Sequence, residues 1–183
     1  MSEFIYSTIL GTSDAAMERI ARLYIPEGSL IADLTFNKGV FWREMELTRY
    51  RLVASDLAPF DDISVRCDLR RTPYRNEVFD VVVLDPPYAN ASTKPRRDGV
   101  SKNYNLSTCM TPAAIKQLYA DGIKESERIL RPGGSLIVKC QPFVDGGKQH
   151  WIDIDIFNDA RFLGMVAWDR FTMVPPGDPI IRH

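Results

Sequence analysis

Short apolar runs alternate with longer amphipathic stretches along most of the chain. The apolar runs predict buried β-strands, at residues 29–36, 51–58, 63–69, 78–85, 135–141 and 165–174. Stretches in which apolar residues recur at helical spacing predict helices, at residues 13–24, 40–50, 112–130 and 151–164. Apolar strands that alternate with helices are typical of a parallel sheet covered on both faces. We therefore expect one α/β domain over residues 1–183, built on a doubly wound, mostly parallel sheet.

The ends of two predicted helices carry sequence signals of their own. Ser13 is expected to cap the first helix, because a serine hydroxyl accepts a hydrogen bond from the free N–H groups of the first turn. Thr111 and Pro112 are expected to be the cap and the first residue of the third helix. The sequence RPGG at 131–134 is expected to end that helix.

The composition excludes several classes of protein. The chain has 183 residues, of which 45% are hydrophobic and 26% charged, as in an ordinary globular domain. No run of about 18 apolar residues predicts a membrane helix, and the N-terminal sequence lacks the pattern of a secretory signal. The odd number of cysteines, without CxxC spacing, favours neither a disulfide framework nor a metal site. We therefore expect a reduced, cytoplasmic protein without membrane contact.

Charge limits how the chain could bind nucleic acid. The net charge of −1 excludes a uniformly basic nucleic-acid binder, so any such contact must come from a local patch. The long polar segment 88–110 carries Lys94, Arg96, Arg97 and Lys102 against Asp98, which gives a local charge of +3 (four positive minus one negative). This segment is a candidate for phosphate contact, with an ordinary solvated loop as the alternative.

Acidic residues stand at the ends of four consecutive predicted strands. They are Asp33, Asp56, Asp68 and Asp85. In open sheets of parallel strands, ligands bind beyond the carboxyl ends of the strands. The four acids are therefore expected to lie along the ligand-binding edge of the sheet.

The turn after the first of these strands has the sequence DLTFNKG, residues 33–39. Asn37 and Gly39 tolerate positive φ, so the backbone there can approach a ligand closely. The turn lacks the GxxxxGK[ST] pattern of a phosphate-binding loop, and its acid suits a cationic or hydroxyl-bearing ligand. An ordinary strand–helix turn is an equally good interpretation of this stretch alone.

The next two acids have both a functional and a structural interpretation. Asp56 lies about 20 residues after the first turn, where nucleoside-binding folds place the acid that accepts from ribose hydroxyls. The alternative is a turn or cap residue. Asp68 could accept from an adenine amine or form a salt bridge with Arg70 or Arg71.

The fourth acid opens the motif DPPY at 85–88, directly after the most apolar strand, in the stretch FDVVVLDPPYAN. These residues resemble the catalytic motif of class I S-adenosylmethionine-dependent methyltransferases that act on exocyclic amines of nucleobases. Further resemblance lies in ADLTFNKG (motif I), ASDLAP (motif II), CDL (motif III) and ILRPGGSLIVK. The resemblance implies the Rossmann-like class I methyltransferase fold over most of the chain.

The resemblance implies an enzyme, most closely a DNA adenine N6-methyltransferase of the small phage or prokaryotic type. An RNA guanine N2-methyltransferase is the first alternative, and a protein glutamine methyltransferase would be expected to have Asn in place of Asp85. A catalytically silent module that binds nucleic acid or a partner enzyme is the alternative from another class.

The resemblance also implies site residues. The carboxylate of Asp85 and the carbonyl of Pro86 would accept the two N–H bonds of the amine, while Pro87 stiffens the loop and Tyr88 stacks on a base rotated out of its helix. S-adenosyl-L-methionine would lie against Asp33, Thr35, Phe36, Asn37, Gly39, Asp56, Leu57, Asp68, Leu69 and Asp85. The substrate would be held by the basic residues of 94–102 together with Tyr104 and Asn105. Lys139 and Gln141, at the end of the fifth strand, are expected to line the same pocket.

The sequence departs from the family in three respects. Asn37 stands where motif I has Gly, and no region resembles a target-recognition domain. A homodimer partner or a separate recognition subunit would then supply that recognition. The final antiparallel strand of the family fold is expected to be missing, either because the sheet edge is incomplete or because the C-terminus is truncated, since only PPGDPIIRH follows the last predicted strand.

Overall fold

The fold is an α/β arrangement around a five-stranded parallel sheet, and the computed structural model describes residues 7–58, 62–87 and 110–177. The strands are β1 (Thr8–Leu10), β2 (Leu30–Asp33), β3 (Arg51–Asp56), β4 (Val65–Arg66), β5 (Phe79–Leu84), β6 (Leu130–Val138), β7 (Phe143–Asp145), β8 (Lys148–His150) and β9 (Thr172–Val174). The described α-helices are α1 (Ser13–Tyr24), α2 (Pro112–Ile129) and α3 (Ile152–Phe162). The sheet order is β4-β3-β2-β5-β6, with every neighbouring pair parallel. This confirms the predicted α/β class and the predicted parallel sheet, and the strand order is compatible with a Rossmann-like fold.

The central strands are apolar because both faces of the sheet are covered. The side chains from Val81 to Leu84 in β5 are at most 1% exposed. Val82 and Leu84 belong to the core that α2 covers, whereas Val81 and Val83 pack with residues of α1 on the other face. A strand that is buried on both faces gives a continuous apolar run, so periodicity identified it correctly.

The predicted helix boundaries are confirmed for the helices whose ends depend on local interactions. The helix α1 spans the predicted residues, although Ser13 is its first residue and Thr12 is the cap, without a side-chain hydrogen bond to the helix. In α2 the hydroxyl of Thr111 accepts from the N–H of Ala114, as expected for a cap. The prediction of a single helix at 40–50 was wrong, because two short 3₁₀ helices, Val40–Trp42 and Leu47–Arg49, occupy this segment. Trp42, in the first of them, is buried and its indole N–H donates to Asp33 of β2, a contact that the local pattern does not contain.

The helix α2 ends at Ile129, just before the sequence RPGG, which confirms the prediction that RPGG ends this helix, but the strand that follows begins earlier than the predicted residue 135. Strand β6 already begins at Leu130, directly after α2, and RPGG forms an irregularity within it: Leu130 pairs with Phe79, and the next pair is Ser135 with Val81. A Cβ atom on Gly134 would lie 3.0 Å from the carbonyl oxygen of Asp80. Glycine therefore permits the bulge to lie against β5.

The last predicted strand is shorter than expected and belongs to a different sheet. Only Thr172–Val174 is extended, and it pairs in parallel with Thr8–Leu10, outside the five-stranded sheet. The preceding residues are held by side-chain contacts instead, including Arg170 on Asp153. The hairpin of β7 and β8 was not predicted. Among the described residues no antiparallel strand joins the five-stranded sheet.

A buried acid ties α2 to the segment that connects β4 to β5. Glu125 is 8% exposed, and its Oε1 accepts from the N–H and the hydroxyl of Thr72, both at 2.7 Å. Arg128, one turn later, donates to both carboxylate oxygens of Glu125 and to the carbonyl of Tyr74. Burial raises the pKa of Glu125, but the hydrogen bonds from Arg128 and Thr72 outweigh it and leave the pKa below its ordinary value.

We predict that Glu125→Gln lowers the free energy of unfolding by about 1.5–3 kcal/mol, because bonds to a charged acceptor are replaced by weaker ones. The depressed pKa means that this stabilisation is present above the ordinary pKa of 4.5 and is lost as the pH falls through the pKa of the folded state. Urea unfolding of both proteins from neutral to acid pH measures it. The exposed neighbour Glu127→Gln is the control. A difference from wild type that persists in acid would contradict the assignment.

Candidate functional site

The carboxyl ends of the parallel strands meet at one edge of the sheet. The strand order reverses there, since the chain leads from β2 to β3 and β4 on one side and returns to β5 on the other. Asp33 ends β2 and Asp85 follows β5, so two of the predicted acids flank this reversal. Ligands of open parallel sheets bind at such a reversal. Asp33 and Asp85 therefore lie at the part of the sheet where such folds bind ligands.

Asp33 stands at the start of the first loop, residues 33–39, which follows β2. It is 2% exposed, and its carboxylate accepts from the indole Nε1 of Trp42 at 2.7 Å and from the N–H of Thr35 at 2.9 Å. Burial raises the pKa of Asp33 to about 7, although the hydrogen bonds from Trp42 and Thr35 lower it. Asp33 therefore stabilises the first loop through Thr35 and the 3₁₀ helix after it through Trp42, so that both of its carboxylate oxygens are hydrogen-bonded.

Thr35 joins the loops that follow β2 and β5. Its hydroxyl oxygen accepts from the N–H of Asp85 at 2.7 Å, and the same hydroxyl lies 3.4 Å from Asp33 Oδ1. The N–H of Leu34 also donates to the carbonyl of Val83 at 3.1 Å. The position of Asp85 is thus fixed by its backbone as well as by its side chain.

Asp56 holds the far side of the first loop. Its Oδ2 accepts from the N–H of Asn37 and its Oδ1 from the N–H of Ala58, both at 2.9 Å. Asn37 and Gly39 have φ values of 49° and 62°, as the sequence predicted. The Oδ1 atom of Asn37 is buried and has no hydrogen-bond partner among the described residues. The loop thus leaves one acceptor unsatisfied.

Among the described residues, one carboxylate oxygen of Asp85 has a hydrogen-bond partner and the other has none. Its Oδ2 accepts from Lys139 Nζ at 2.9 Å, with the carboxylate side chain 19% exposed. Its Oδ1 is buried and has no partner among the described residues. Burial raises the pKa of Asp85, and the ammonium of Lys139 opposes that rise. Pro86 is buried and Pro87 half-buried directly after it.

The remaining predicted cofactor residues contribute differently. Arg70 binds the carboxylate of Asp68, with Nη2 at 2.6 Å from Oδ2, and these bonds lower the pKa of Asp68. Of the two interpretations of Asp68, the structure contains the salt bridge, with Arg70 as the partner. Leu69 is 9% exposed within the core, whereas Leu57 is 60% exposed. Phe36 is half-buried against the core on the α1 face.

Part of the predicted substrate site falls outside the described residues. It comprises Tyr88, Lys94, Arg96, Arg97, Lys102, Tyr104 and Asn105. Within the described residues, the structure brings together Asp33, Thr35, Asn37, Asp56 and Asp85.

Sequence reasoning missed two contributions to the site. The bond from Trp42 to Asp33 has no signal in a local pattern. The pairing of Lys139 with Asp85 follows from the sheet register, in which Leu84 pairs with Val138 and Asp85 and Lys139 are the next residues, and the sequence does not give that register.

Other chemistry receives little support in the part of the chain that the structure describes. It contains no group of three or more His, Cys, Asp or Glu residues placed to hold a metal ion. No helix there is long and apolar enough to cross a bilayer. The thiol of Cys140 is free, and burial raises its pKa to about 11, which disfavours a thiolate.

Comparison with known proteins adds no assignment, since no protein-family model matches the chain and no curated protein matches it significantly. The chemistry of this edge must therefore be argued from the residues themselves.

We predict that Trp42→Phe destabilises the fold by about 1–3 kcal/mol, because the buried Asp33 loses the donor to its Oδ2. The loss should be larger above pH 7, where Asp33 is increasingly ionised, than in mildly acidic buffer. In the wild type, the raised pKa means that the stability contributed by protonated Asp33 is fully present below 3.8 and is lost as the pH rises through about 7. Chemical unfolding at several pH values tests both statements.

The matched control for this measurement is Trp168→Phe, since Trp168 is 82% exposed. It should leave the free energy of unfolding almost unchanged at every pH. A pH-independent loss in Trp42→Phe would mean that the ring packs but that its N–H does not stabilise Asp33.

Proposed function

We propose that the chain is an S-adenosylmethionine-dependent methyltransferase that acts on an exocyclic amine of a nucleobase, with adenine N6 in DNA as the preferred substrate. The observation that carries this proposal is Asp85. Its carboxylate follows β5 at the reversal of strand order, and its Oδ1 is buried and unpartnered among the described residues. A buried acceptor without a donor is costly, so it favours a ligand that brings an N–H group.

A nucleobase amine needs such acceptors to react. Its lone pair is delocalised into the ring, which makes the nitrogen a poor nucleophile. Acceptors for both of its N–H bonds favour a pyramidal nitrogen and free the lone pair. Asp85 Oδ1 would take one bond and the carbonyl of Pro86 the other.

Rigidity is the second requirement for these acceptors. Proline fixes φ and offers no N–H that could compete for the acceptors. The N–H of Asp85 is already bonded to Thr35, which holds the start of the motif in place. Fixed acceptors lose little free energy to reorganisation when the substrate reacts.

The first loop fits the cofactor. Asn37 Oδ1 is buried and unpartnered among the described residues, and Gly39 has positive φ. The ring of Phe36 fills the space beside Gly39, 2.7 Å from where a Cβ atom would lie, so glycine is needed there for the loop itself. The loop backbone and Asp56 would hold S-adenosyl-L-methionine, with Asp33 supporting the loop from below. When bound, that cofactor would supply an electrophilic methyl group on its sulfonium sulfur. The amine, the methyl carbon and the sulfur must then lie in line, which is a matter of positioning.

The preference for DNA adenine rests on the resemblance of DPPY to the adenine enzymes, and a guanine N2 amine in RNA has the same two N–H bonds. The basic residues expected to contact phosphates, Arg96 and Arg97 among them, lie outside the described residues. The test must therefore include both kinds of nucleic acid.

We expect that the full chain, given labelled S-adenosylmethionine and separate DNA and RNA pools, transfers label to DNA, and that digestion yields N6-methyladenine. Asp85→Ala should abolish transfer and leave cofactor affinity largely intact, because the carboxylate faces the amine. The control is Asp62→Ala, a change of the same type at an exposed position. Label in RNA guanine would select the alternative substrate. A folded protein that labels neither pool would contradict the proposal.

We predict that Asp56→Ala weakens S-adenosylmethionine binding by about 1.5–3 kcal/mol, roughly ten- to more than one hundredfold in Kd. Asp56 orders the first loop through the N–H of Asn37 and would accept from ribose hydroxyls. Isothermal titration calorimetry of the wild type, Asp56→Ala and Asp62→Ala measures it, with thermal unfolding as a check on the fold. Unchanged affinity in Asp56→Ala would remove Asp56 from the cofactor site. Absence of binding in the wild type would favour the catalytically silent module.

A further inference from the structure

Lys139 reaches Asp85 because of the sheet register. Leu84 of β5 pairs with Val138 of β6, so the next residues, Asp85 and Lys139, leave the sheet side by side. Lys139 Nζ donates to Asp85 Oδ2 at 2.9 Å. The side chains are 19% exposed for Asp85 and 26% for Lys139, so water screens this pair less than a surface pair.

Lys139 is itself held on several sides. Its backbone N–H donates to the carbonyl of Leu84 at 2.8 Å, and its carbonyl accepts from the hydroxyl of Tyr119 at 3.0 Å. Its ammonium lies 5.3 Å from the centre of the Phe41 ring, within the range of a cation–π contact. An ammonium anchored in this way can orient a carboxylate.

Among the described residues, the charged and titratable groups around Asp85 come from two elements of the sheet. From β2 comes Asp33. The carboxylates of Asp33 and Asp85 repel each other when both are ionised. From the two residues that follow β6 come Lys139 and the thiol of Cys140, whose pKa is itself influenced by Asp153 and Arg170. Among these groups Lys139 is the cation in contact with Asp85.

We propose that Lys139 is a positioning residue for Asp85: it holds Oδ2, keeps the carboxylate ionised, and leaves Oδ1 free to accept from the amine of the substrate. The identity of that amine rests on the proposed function. The contact between Lys139 and Asp85 does not, because it follows from the sheet register.

The physical reason is the balance at a largely buried acid. Burial raises the pKa of Asp85, and the charge and hydrogen bond of Lys139 lower it. If Lys139 were absent, burial would act unopposed by this cation and more of the acid would be protonated at neutral pH. A protonated carboxyl group carries its own O–H donor, which would compete with the N–H of the amine.

The test is a titration of Asp85 by carbon NMR in the ligand-free, full-length protein with labelled aspartate side chains. Asp85→Asn and Asp33→Asn identify the two resonances. In Lys139→Met we expect the titration of Asp85 to shift to higher pH, whereas Lys139→Arg, which keeps the charge, should restore it towards wild type. The matched control Lys148→Met removes the same charge from the exposed β8 and should leave the titration unchanged.

Activity gives a second readout. Methyl transfer by Lys139→Met should fall at neutral pH and recover towards the wild-type rate as the pH rises, because the acid limb of the pH profile follows Asp85. A loss of the same factor at every pH would indicate a merely structural role and overturn the proposal. So would an unchanged titration of Asp85.

The test also covers two further cases, a Lys139→Met variant that does not fold and a wild type without activity. If Lys139→Met does not fold, Lys139→Gln retains a polar end group without the charge and is titrated instead. If the wild type transfers no methyl group to any nucleic acid, the proposed function fails. The NMR titration still supports or overturns the role of Lys139, because it needs neither substrate nor cofactor.

Discussion

The parallel pairing of β2 with β5 is the constraint on which the rest of the candidate site depends. The register places Ala32 beside Val82 and Asp33 beside Val83, so two acidic strand ends share one edge at the middle of the sheet. Because both strands are covered on both faces, a slip by one residue would exchange the side chains packed in the core under α2 with those packed in the core under α1 and disrupt the packing of both. The hydrophobic core thereby fixes the distance between the two loops.

This placement has an energetic cost, because it takes two carboxyl groups out of water. The protein offsets that cost in different ways at the two positions. Asp33 is held by neutral donors from Trp42 and Thr35, and its pKa of about 7 shows that these offset only part of the desolvation. Asp85 is opposed by a cation, Lys139. Neutral donors are sufficient for Asp33, which supports a loop. A paired cation favours the ionised form of Asp85, in which both carboxylate oxygens can only accept hydrogen bonds.

Two buried acceptors without a partner among the described residues lie at the ligand edge, and another, Asp153 Oδ1, lies in α3. Asn37 Oδ1 and Asp85 Oδ1 both lack partners among the described residues, whereas Glu125, buried in α2, has donors on both carboxylate oxygens. Natural proteins rarely leave buried acceptors unpaired without a functional reason. Asp153 has the same pattern as Asp85, with one oxygen bonded to Arg170 and the other unpartnered among the described residues, so the pattern alone does not mark a site. The place of Asp85 at the reversal of strand order is what distinguishes it as the candidate catalytic acid.

The sequence by itself determined the elements whose cause is local: the apolar runs of the central strands, the span of α1, the capping of α2 by Thr111, and the acids at the strand ends. Contacts between distant segments were decided only by the tertiary structure. The bulge in β6 depends on its pairing with β5, and β9 leaves the main sheet because it pairs with β1. Local patterns specify which side chains must be buried and where the backbone can turn. Which donor meets which acceptor depends on the neighbours that packing supplies, and for this reason the partners of Asp33 and Asp85 emerged only from the fold. The partner of Asp68, Arg70, is two residues away, and the sequence already offered it as one of two interpretations.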